Sequence, residues 1–400
     1  MKSIELFAGA GGLAMGIGLA GFEHVGVVEW DRWACDTIRE NQRRGHPLVI
    51  GWPLTEGDVR SFDLSTLPSD IDLVAGGPPC QPFSVGGKHR AIDDVRDMFP
   101  ATVKIIRATR PKAFIIENVK GLARSTFTNY FTYIQFQLAL PEIVRRDDEG
   151  WMEHRARLER EWTSASRKGL TYDVVPRLVN AANYGIPQRR ERVFFIGFRR
   201  DMDARWTFPE QTHSHEALLE EQFVSGDYWD RHKVARKARP QPSEDAVQLR
   251  KEVRGRNEPN TSLPWRTVRD ALIGLPDPEF SDAGFHLNHR FQPGARSYAG
   301  HTGSPLDLPA KTLKAGVHGV PGGENMLRRP DGSIRYFTVR ESARLQTFPD
   351  GYFFHGAWSE TMRQLGNAVP VSLAQIVASS VAQALIRVAE RDSRASRKAS

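Results

Sequence analysis

The sequence predicts an α/β protein with a doubly wound, mostly parallel sheet and a smaller second domain. The chain opens with a strand-like run at 4–7, a glycine-rich turn at 8–12 and a helix-like run at 13–17. This order begins a nucleotide-binding βαβ unit. Buried-strand patterns recur at 71–75 and 112–116. At 400 residues the chain exceeds one average core, so we expect two domains or one large domain with an insertion.

The opening turn indicates a ligand site, because glycines let the backbone approach a ligand and leave the first helix amides free. The next strand-like run, 24–28, ends in Glu29 and Trp30. Glu29 lies 18 residues beyond Gly11, about where an acid would reach ribose hydroxyls, and Trp30 offers a face for adenine. These features favour an adenosine-containing cofactor.

Two other interpretations of this first region stay open. The glycine turn does not by itself exclude NAD, and a structural tight turn flanked by solvated acids would produce the same pattern. Asp58, after a weak strand signal, is a further candidate cofactor ligand. Met98 stands near the start of a helix that we expect at 97–109, facing the same edge of the sheet.

A stiff loop at 76–84, Gly-Gly-Pro-Pro-Cys-Gln-Pro-Phe-Ser, follows the strand-like run 71–75. Its glycines and prolines prevent regular structure, so it would present Cys80 at a strand's carboxyl end, where ligands bind in open α/β sheets. Cys80 is one of only two cysteines. Taken alone, it could also be an inert cysteine in a tight turn.

Polar residues that end or precede strands supply further candidates. The apolar run 112–116 delivers Glu117 to the same edge as Cys80, where burial would raise the pKa of the carboxyl group; it could equally cap the next helix. Arg190 and Arg192 precede the strongly apolar run 193–196, so we expect some of these arginines to lie near the sheet.

Composition excludes several classes of protein. The formal charge of +7 suits a polyanionic partner, and residues 231–256 carry nine Lys or Arg against three Asp or Glu. Two cysteines exclude a disulfide framework, and the spacings of the 12 histidines match no metal-ligand template, so we expect no metal. We expect no signal peptide and no membrane span, which predicts a cytoplasmic protein.

Taken together, these pieces resemble the cytosine-5 DNA methyltransferases that use S-adenosylmethionine. The resemblance is carried, in the family's order, by six segments: 7–13 (FAGAGGL), 78–84 (PPCQPFS), 117–119 (ENV), 188–192 (QRRER), 338–350 (TVRESARLQTFPD) and 366–370 (GNAVP). They extend over nearly the whole chain, and no catalytic position departs from the family pattern.

The resemblance implies a role for each candidate. Cys80 would be the nucleophile, and Glu117 would hydrogen-bond the ring N3 and the exocyclic amine of cytosine. Arg192 would hold the base carbonyl and the catalytic loop, with Arg190 close by. The residues expected to bind S-adenosylmethionine are Phe7, Gly9, Gly11, Gly12, Leu13, Glu29, Trp30, Asp58, Val59, Pro79, Met98, Asn367 and Val369.

The resemblance also implies a domain plan. We expect a catalytic and cofactor-binding domain at 1–198, a target-recognition domain at 199–336, a return to the catalytic domain at 337–390 and a disordered tail at 391–400. Duplex DNA is the expected substrate of a monomer, and a restriction endonuclease acting on the same site is the expected partner.

Three rival functions fit the sequence less well. A transfer-RNA methyltransferase of the same family would share most motifs, but the long variable region favours DNA. A cofactor-binding DNA regulator would not need Cys80, Glu117 and Arg192 together. An NAD-binding protein would have no functional role for Cys80.

Overall fold

A computed structural model describes residues 1–79, 97–164, 169–254, 260–280, 285–299, 301–315 and 323–399. The chain divides into two compact units. The first comprises Met1–Val179, Glu191–Pro209 and Ala374–Ser400, and the second comprises Asn180–Arg190 and Glu210–Leu373. Both chain ends therefore belong to the first unit.

A seven-stranded sheet forms the centre of the first unit, in the order β3-β2-β1-β4-β5-β7-β6. Neighbouring strands from β3 to β5 are parallel, and β7 pairs antiparallel with β5. This mostly parallel sheet confirms the predicted α/β class. The strands are β1 Lys2–Leu6, β2 Glu23–Glu29, β3 Leu54–Glu56, β4 Leu73–Gly76, β5 Ala113–Val119, β6 Tyr172–Asn180 and β7 Glu191–Arg199.

Helices of the first unit cover this sheet. Side chains of alternate strand residues, such as Ile4, Val74 and Ile116, share a buried cluster with Ile106 and Ile134 from two of these helices. Burying such apolar surface is the main force that holds sheet and helices together. The helices are α1 Gly12–Leu19, α2 Arg32–Arg43, α3 Phe99–Thr109, α4 Thr128–Ala139 and α5 Trp151–Thr163.

The last helix, α12 (Val371–Ala399), packs into the first unit over most of its length. Buried residues recur along one stripe, including Val377, Val381 and Leu385, and Trp206 Nε1 donates to Ser380 Oγ over 3.1 Å. The tail expected to be disordered instead continues this helix to Ala399. Its Ala and Arg residues favour helix, and Arg391 donates to the Met202 carbonyl over 2.7 Å.

The helical stretch Trp358–Lys398 contains a window apolar enough, by length and composition, to cross a membrane. Of that window, 61% is buried inside the protein. A core helix satisfies the same criteria, so the feature is a weak indication of a membrane span.

The second unit is built mostly from short elements around three small apolar clusters. Its strands are β8 His213–Ser214, β9 Leu263–Pro264, β10 Ser304–Pro305, β11 Met326–Arg328 and β12 Ile334–Tyr336. Its helices are α6 His215–Glu220, α7 Asp227–Arg231, α8 Glu244–Arg254, α9 Val268–Ala271, α10 Val339–Leu345 and α11 Trp358–Asn367. Segments 180–190 and 337–373 also belong to this unit. They lie outside the predicted target-recognition domain, 199–336.

Candidate active site

The turn after β1 has a backbone that most residues avoid. Phe7, Gly9 and Gly11 all have positive φ, at 56°, 54° and 89°. A Cβ on Gly11 would lie 2.9 Å from the ring of Trp52. Glycine is therefore required at position 11 for two independent reasons, conformation and space.

Glu29, at the end of β2, holds this turn in place. Its Oε2 accepts from Gly9 N over 2.6 Å, and its Oε1 accepts from Trp30 N over 2.8 Å and Asp31 N over 2.7 Å. Burial raises the pKa of Glu29, while the three backbone amides act in the opposite direction. A carboxylate oxygen can accept more than one hydrogen bond, so Glu29 keeps capacity for a ligand hydroxyl.

A cleft of about 120 Å³, partly open to solvent, lies beside this turn. Its wall combines apolar residues, two carboxylates and the indole of Trp30, which is 71% exposed. Such a wall fits a nucleoside: aromatic and apolar surfaces receive the base, and carboxylates receive hydroxyl or amino groups. The lining residues are Phe7, Val28, Glu29, Trp30, Gly57, Asp58, Val59, Pro79 and Met98.

Seven of these nine are among the residues that the sequence predicts to bind the cofactor, and Val28 and Gly57 are not. Both are chain neighbours of predicted residues, and Gly57 N donates to the carbonyl of Glu29 over 2.9 Å. Asp58 accepts from Arg60 Nη2 over 2.5 Å, and this arginine lowers the pKa of the Asp58 carboxyl. The four predicted ligands Gly9, Gly11, Gly12 and Leu13 build the turn and the start of α1.

Glu117 and Arg192 form a buried pair on adjacent antiparallel strands. The register of β5 and β7 places Val119 opposite Arg192 and Glu117 opposite Phe194. Arg192 Nε lies 2.8 Å from Glu117 Oε1, and each side chain is at most one-tenth exposed. Burial lowers the pKa of Arg192, and the nearby Glu117 carboxylate opposes that shift.

The start of the cysteine loop is attached to the same strand end. Asn118 Nδ2 donates to the carbonyl of Pro78 over 3.0 Å. A Cβ on Gly77 would lie 3.0 Å from Glu117 Oε2, so glycine allows the loop to begin against that carboxylate. Cys80 lies outside the described residues, as do Gln81 and Ser84.

The second cysteine, Cys35, is unsuited to nucleophilic chemistry. It is fully buried in α2, and its thiol donates to the carbonyl of Glu29 over 3.4 Å. Burial raises its pKa to about 12. Because the thiolate is the reactive form, a cysteine that stays protonated at neutral pH is inert.

The comparisons with known proteins agree with this geometry. The family model for the C-5 cytosine-specific DNA methylase matches residues 1–139 and 150–383. The chain belongs to this family. It is a DNA (cytosine-5) methyltransferase, and S-adenosylmethionine is its methyl donor.

Individual relatives cover the chain almost completely. Type II methyltransferase M.NgoPII of Neisseria gonorrhoeae is 30% identical over 391 residues, which cover 97% of each chain. Type II methyltransferase M.NgoMIV of the same organism is 30% identical and covers 96% of this chain and 97% of its own. A prophage protein of Escherichia coli, assigned as a DNA modification methyltransferase, shares the fold with a TM-score of 0.58, 22% identity and coverage of 96% and 99%.

In this methyltransferase Arg190 lies in the second unit. Its guanidinium is fully buried and donates to the carbonyls of Leu313 over 3.1 Å and Gly366 over 2.7 Å. A Cβ on Gly366 would lie 2.3 Å from Ala315 N, so this glycine permits a close backbone approach. Asn367, which is exposed, and Val369, which is buried, follow in the same unit.

The segment 338–350 of the methyltransferase stabilises the second unit. Glu341 accepts two hydrogen bonds from Arg335, over 2.6 and 2.7 Å, and caps α10 through Thr338 N. Arg340, 1% exposed, donates to the carbonyls of Leu287, Pro349 and Tyr352. Burial lowers the pKa of Arg340 to about 10. The charged groups of Glu341 and Arg340 are therefore bound within the fold.

Across the described parts of the methyltransferase, no group of three or more His, Cys, Asp or Glu side chains could hold a metal ion. His289 illustrates why: its ring nitrogens lie 2.8 Å from Thr338 Oγ1 and from the carbonyl of Pro276. Both nitrogens are thus engaged by protein groups.

Proposed function

We propose that this methyltransferase modifies a cytosine within a specific duplex sequence, as the modification half of a type II restriction-modification system. It would work in the cytoplasm as a monomer, and its partner would be an endonuclease that cuts the unmodified site. Two type II relatives that span nearly the full chain support this assignment. The motif residues Cys80, Glu117 and Arg192 support retained catalysis.

One observation carries the proposed active site. The strand end that holds Glu117 also holds Pro78, through the 3.0 Å hydrogen bond from Asn118. Pro79, the next residue, lines the cofactor cleft. The segment that leads into Cys80 is thus attached to Asn118, the neighbour of Glu117, and borders the cofactor cleft at Pro79.

The chemistry follows from the weak nucleophilicity of cytosine carbon 5. In the proposed reaction the Cys80 thiolate adds to carbon 6, which makes carbon 5 enamine-like. When bound, S-adenosylmethionine supplies an electrophilic methyl group to that carbon. A base then removes the carbon 5 proton, and the electron pair of the C–H bond reforms the ring double bond as the sulfur leaves carbon 6. Cysteine is regenerated as the thiolate.

Glu117 would stabilise the ring while the sulfur adds: one carboxyl oxygen shares a proton with N3, where negative charge builds, and the carboxyl group also accepts from the exocyclic amine. The Arg192 guanidinium at 2.8 Å fixes one carboxylate oxygen and leaves Oε2 on the side of Gly77. Fixing that oxygen before the base arrives reduces the reorganisation needed during the reaction. Arg192 is also the residue proposed to hold the base carbonyl.

The target base must leave the stack for this chemistry, at a cost of a few kcal/mol. We propose that residues 199–336 choose the site, because the motifs proposed to carry the chemistry lie outside this segment. Exchanging the segment with that of a relative should move the methylated site and leave the requirement for S-adenosylmethionine intact. If the methylated site is instead determined by the amino-terminal half of the chain, the assignment is wrong.

Bisulfite sequencing of a plasmid from cells that express the chain tests the function. We expect protected cytosines at one recurring sequence with the wild type and none with Cys80→Ala. In parallel, purified enzyme is offered duplex DNA and transfer RNA with labelled S-adenosylmethionine. Transfer to RNA alone would overturn the proposal and favour the transfer-RNA branch.

A further inference from the structure

The segment 285–298 of the second unit, which we call the aromatic–arginine segment, presents aromatic and basic side chains together. Phe285 is 94% exposed, Tyr298 is 55% exposed and Phe291 is also exposed. Arg290 and Arg296 lie between them and are exposed as well. Several large exposed aromatic side chains within so short a segment indicate an interaction site.

The middle of this segment is firmly anchored. His289 is fully buried and engaged through both ring nitrogens, as described above. Asn288 exchanges two hydrogen bonds with the backbone of Phe354, over 2.8 and 3.0 Å. The carbonyls of Leu287 and Asn288 accept from Arg340, over 2.9 and 3.0 Å. The flanking exposed side chains therefore project from a fixed base, which lowers the entropic cost of binding.

The two arginines are available for a ligand. In the part of the chain that the structure describes, neither Arg290 nor Arg296 has a hydrogen bond, an ion pair or a ring contact. Two arginines of this unit are, in contrast, engaged in ion pairs: Arg329 pairs with Asp277 over 3.0 Å, and Arg239 pairs with Asp230 over 2.5 Å. Exposed cations interleaved with exposed aromatics suit a nucleic acid, whose phosphates and bases match both kinds of group.

We propose that the aromatic–arginine segment contacts the DNA substrate: Arg290 and Arg296 bind backbone phosphates, and Phe285 packs against bases as an apolar wedge. This inference rests on the proposed function, because the partner is the duplex that is methylated. It goes beyond that function by identifying DNA-contacting residues that lie outside the catalytic motifs. Phosphate contacts would set the register of the duplex, and the wedge would act on its base steps.

Salt dependence tests the arginines. Binding of a duplex that carries the methylated site is measured against salt for wild type, Arg290→Gln and Arg296→Gln. Each phosphate contact contributes about 0.9 to the slope of log affinity against log salt, so each variant should have a slope shallower by about that amount. The matched control is Arg205→Gln, an exposed arginine beyond the end of β7 with no partner among the described residues. It should leave the slope unchanged.

A second variant tests the wedge. Phe285→Ala should weaken binding by about fivefold or more while the salt slope stays that of wild type, because base packing releases no counterions. Phe280→Ala is the control, since Phe280 is exposed but lies under the guanidinium of Arg329, 5.2 Å away. These side chains are exposed, so the variants should fold, and unchanged melting temperatures would verify that.

The results separate the two proposals. If Arg290→Gln, Arg296→Gln and Phe285→Ala bind and methylate DNA as the wild type does, the aromatic–arginine segment is not a DNA contact. A protein that binds there would then be the remaining explanation for its exposure. If the wild type methylates no duplex at all, the proposed function fails instead.

Discussion

Arg192 Nε lies 2.8 Å from Glu117 Oε1, and each side chain is at most one-tenth exposed. A buried ion pair of this kind is poor support for stability, because desolvation offsets much of the attraction. The pair lies at the strand end that also anchors Pro78, so its importance is in positioning rather than in stability. It fixes a carboxylate where the proposed reaction needs one.

The first prediction concerns this carboxylate. Glu117→Gln should lower the rate of methyl transfer in a single turnover by about 10²- to 10³-fold, because a positioned acid–base group contributes on this scale. Affinity for S-adenosylmethionine should stay within about twofold. The control is Glu191→Gln, since Glu191 is a half-exposed partner of Lys120 at 2.5 Å and surface pairs of this kind contribute little. Equal rates for the two variants would contradict the role of Glu117.

The second prediction concerns Gly11. Gly11→Ala should weaken binding of S-adenosylmethionine, measured by calorimetry, because the new Cβ would lie 2.9 Å from the ring of Trp52 and displace the turn. Gly21→Ala is a matched control: φ is 91° there, against 89° at Gly11, but nothing lies within 4 Å of the added Cβ. Both variants should lose about 1 kcal/mol from backbone strain. Only Gly11→Ala should lose cofactor affinity.

The residues of the cofactor cleft and the pair of Glu117 with Arg192 differ in how far the sequence could predict them. Glu29, Trp30 and Asp58 could be placed because each ends or follows a strand, and strand ends gather at one edge of a parallel sheet. The contact of Gly11 with Trp52 could not, since it joins residues far apart in sequence through packing. The pairing of Glu117 with Arg192 depends on β7 running antiparallel to β5, which local patterns do not reveal.

Segment 338–350 shows another limit of sequence reasoning. Segment 338–350 carries part of the family resemblance, and its charged residues would be candidates for chemistry on residue type alone. In the structure Glu341 is bound to Arg335 and Thr338, and the arginine at position 340 is bound to backbone carbonyls. A motif shared across a family can therefore be a packing motif, and only side-chain partners reveal that.

The third prediction concerns His24, whose ring contacts α1 through Ala14 and lies edge-on to Trp52. Its Nε2 donates to the carbonyl of Ala14 over 2.8 Å, and burial lowers its pKa to about 4. The unfolded chain has the ordinary value near 6.5, so between pH 6.5 and 4 the unfolded state binds a proton that the folded state does not. Stability is present above pH 6.5 and lost as pH falls through this window, by about 3 kcal/mol in total.

Denaturant unfolding of wild type and His24→Gln tests this linkage. The variant should be less stable at pH 7, because it loses the imidazole's hydrogen bonds. The difference should shrink as the pH is lowered to 5, since only the wild type loses the histidine contribution. A difference that stays constant with pH would mean that His24 does not titrate below its usual range.

The fourth prediction concerns Glu5, in the middle of the central strand β1. Its side chain is fully buried, and in the described chain neither carboxyl oxygen has a hydrogen-bond partner. Burial raises its pKa well above the usual value near 4.5. The unfolded state therefore releases a proton at lower pH than the folded state does. Stability is full below pH 4.5 and falls as pH rises toward the raised pKa, by about 1.4 kcal/mol per pH unit.

Glu5→Gln removes this titration. The free energy of unfolding of the variant, minus that of the wild type, should therefore increase between pH 5 and 8. The sign is opposite to that for His24, so the two variants serve as controls for each other. A flat difference would show that Glu5 is already ionised in the folded protein across this pH range.

The last prediction concerns the covalent step, for which Cys80 is the proposed nucleophile. Methyl transfer leaves a hydrogen on carbon 5 that must depart as a proton before sulfur can leave. Fluorine at that carbon cannot depart as a cation, so the enzyme should stay bonded to DNA that carries 5-fluorocytosine at the target position. The adduct should form only with S-adenosylmethionine present and should survive denaturing electrophoresis.

Cys80→Ala is the decisive control for this adduct. It should form none and should lose methyl transfer, while binding of the cofactor stays near that of the wild type. Glu117→Gln should form the adduct more slowly, because ring stabilisation is weaker while the sulfur adds. Trapping that persists in Cys80→Ala would require another nucleophile, and the remaining thiol, Cys35, is buried with its pKa raised to about 12. Failure to trap the wild type at a site proven to be methylated would overturn the covalent mechanism itself.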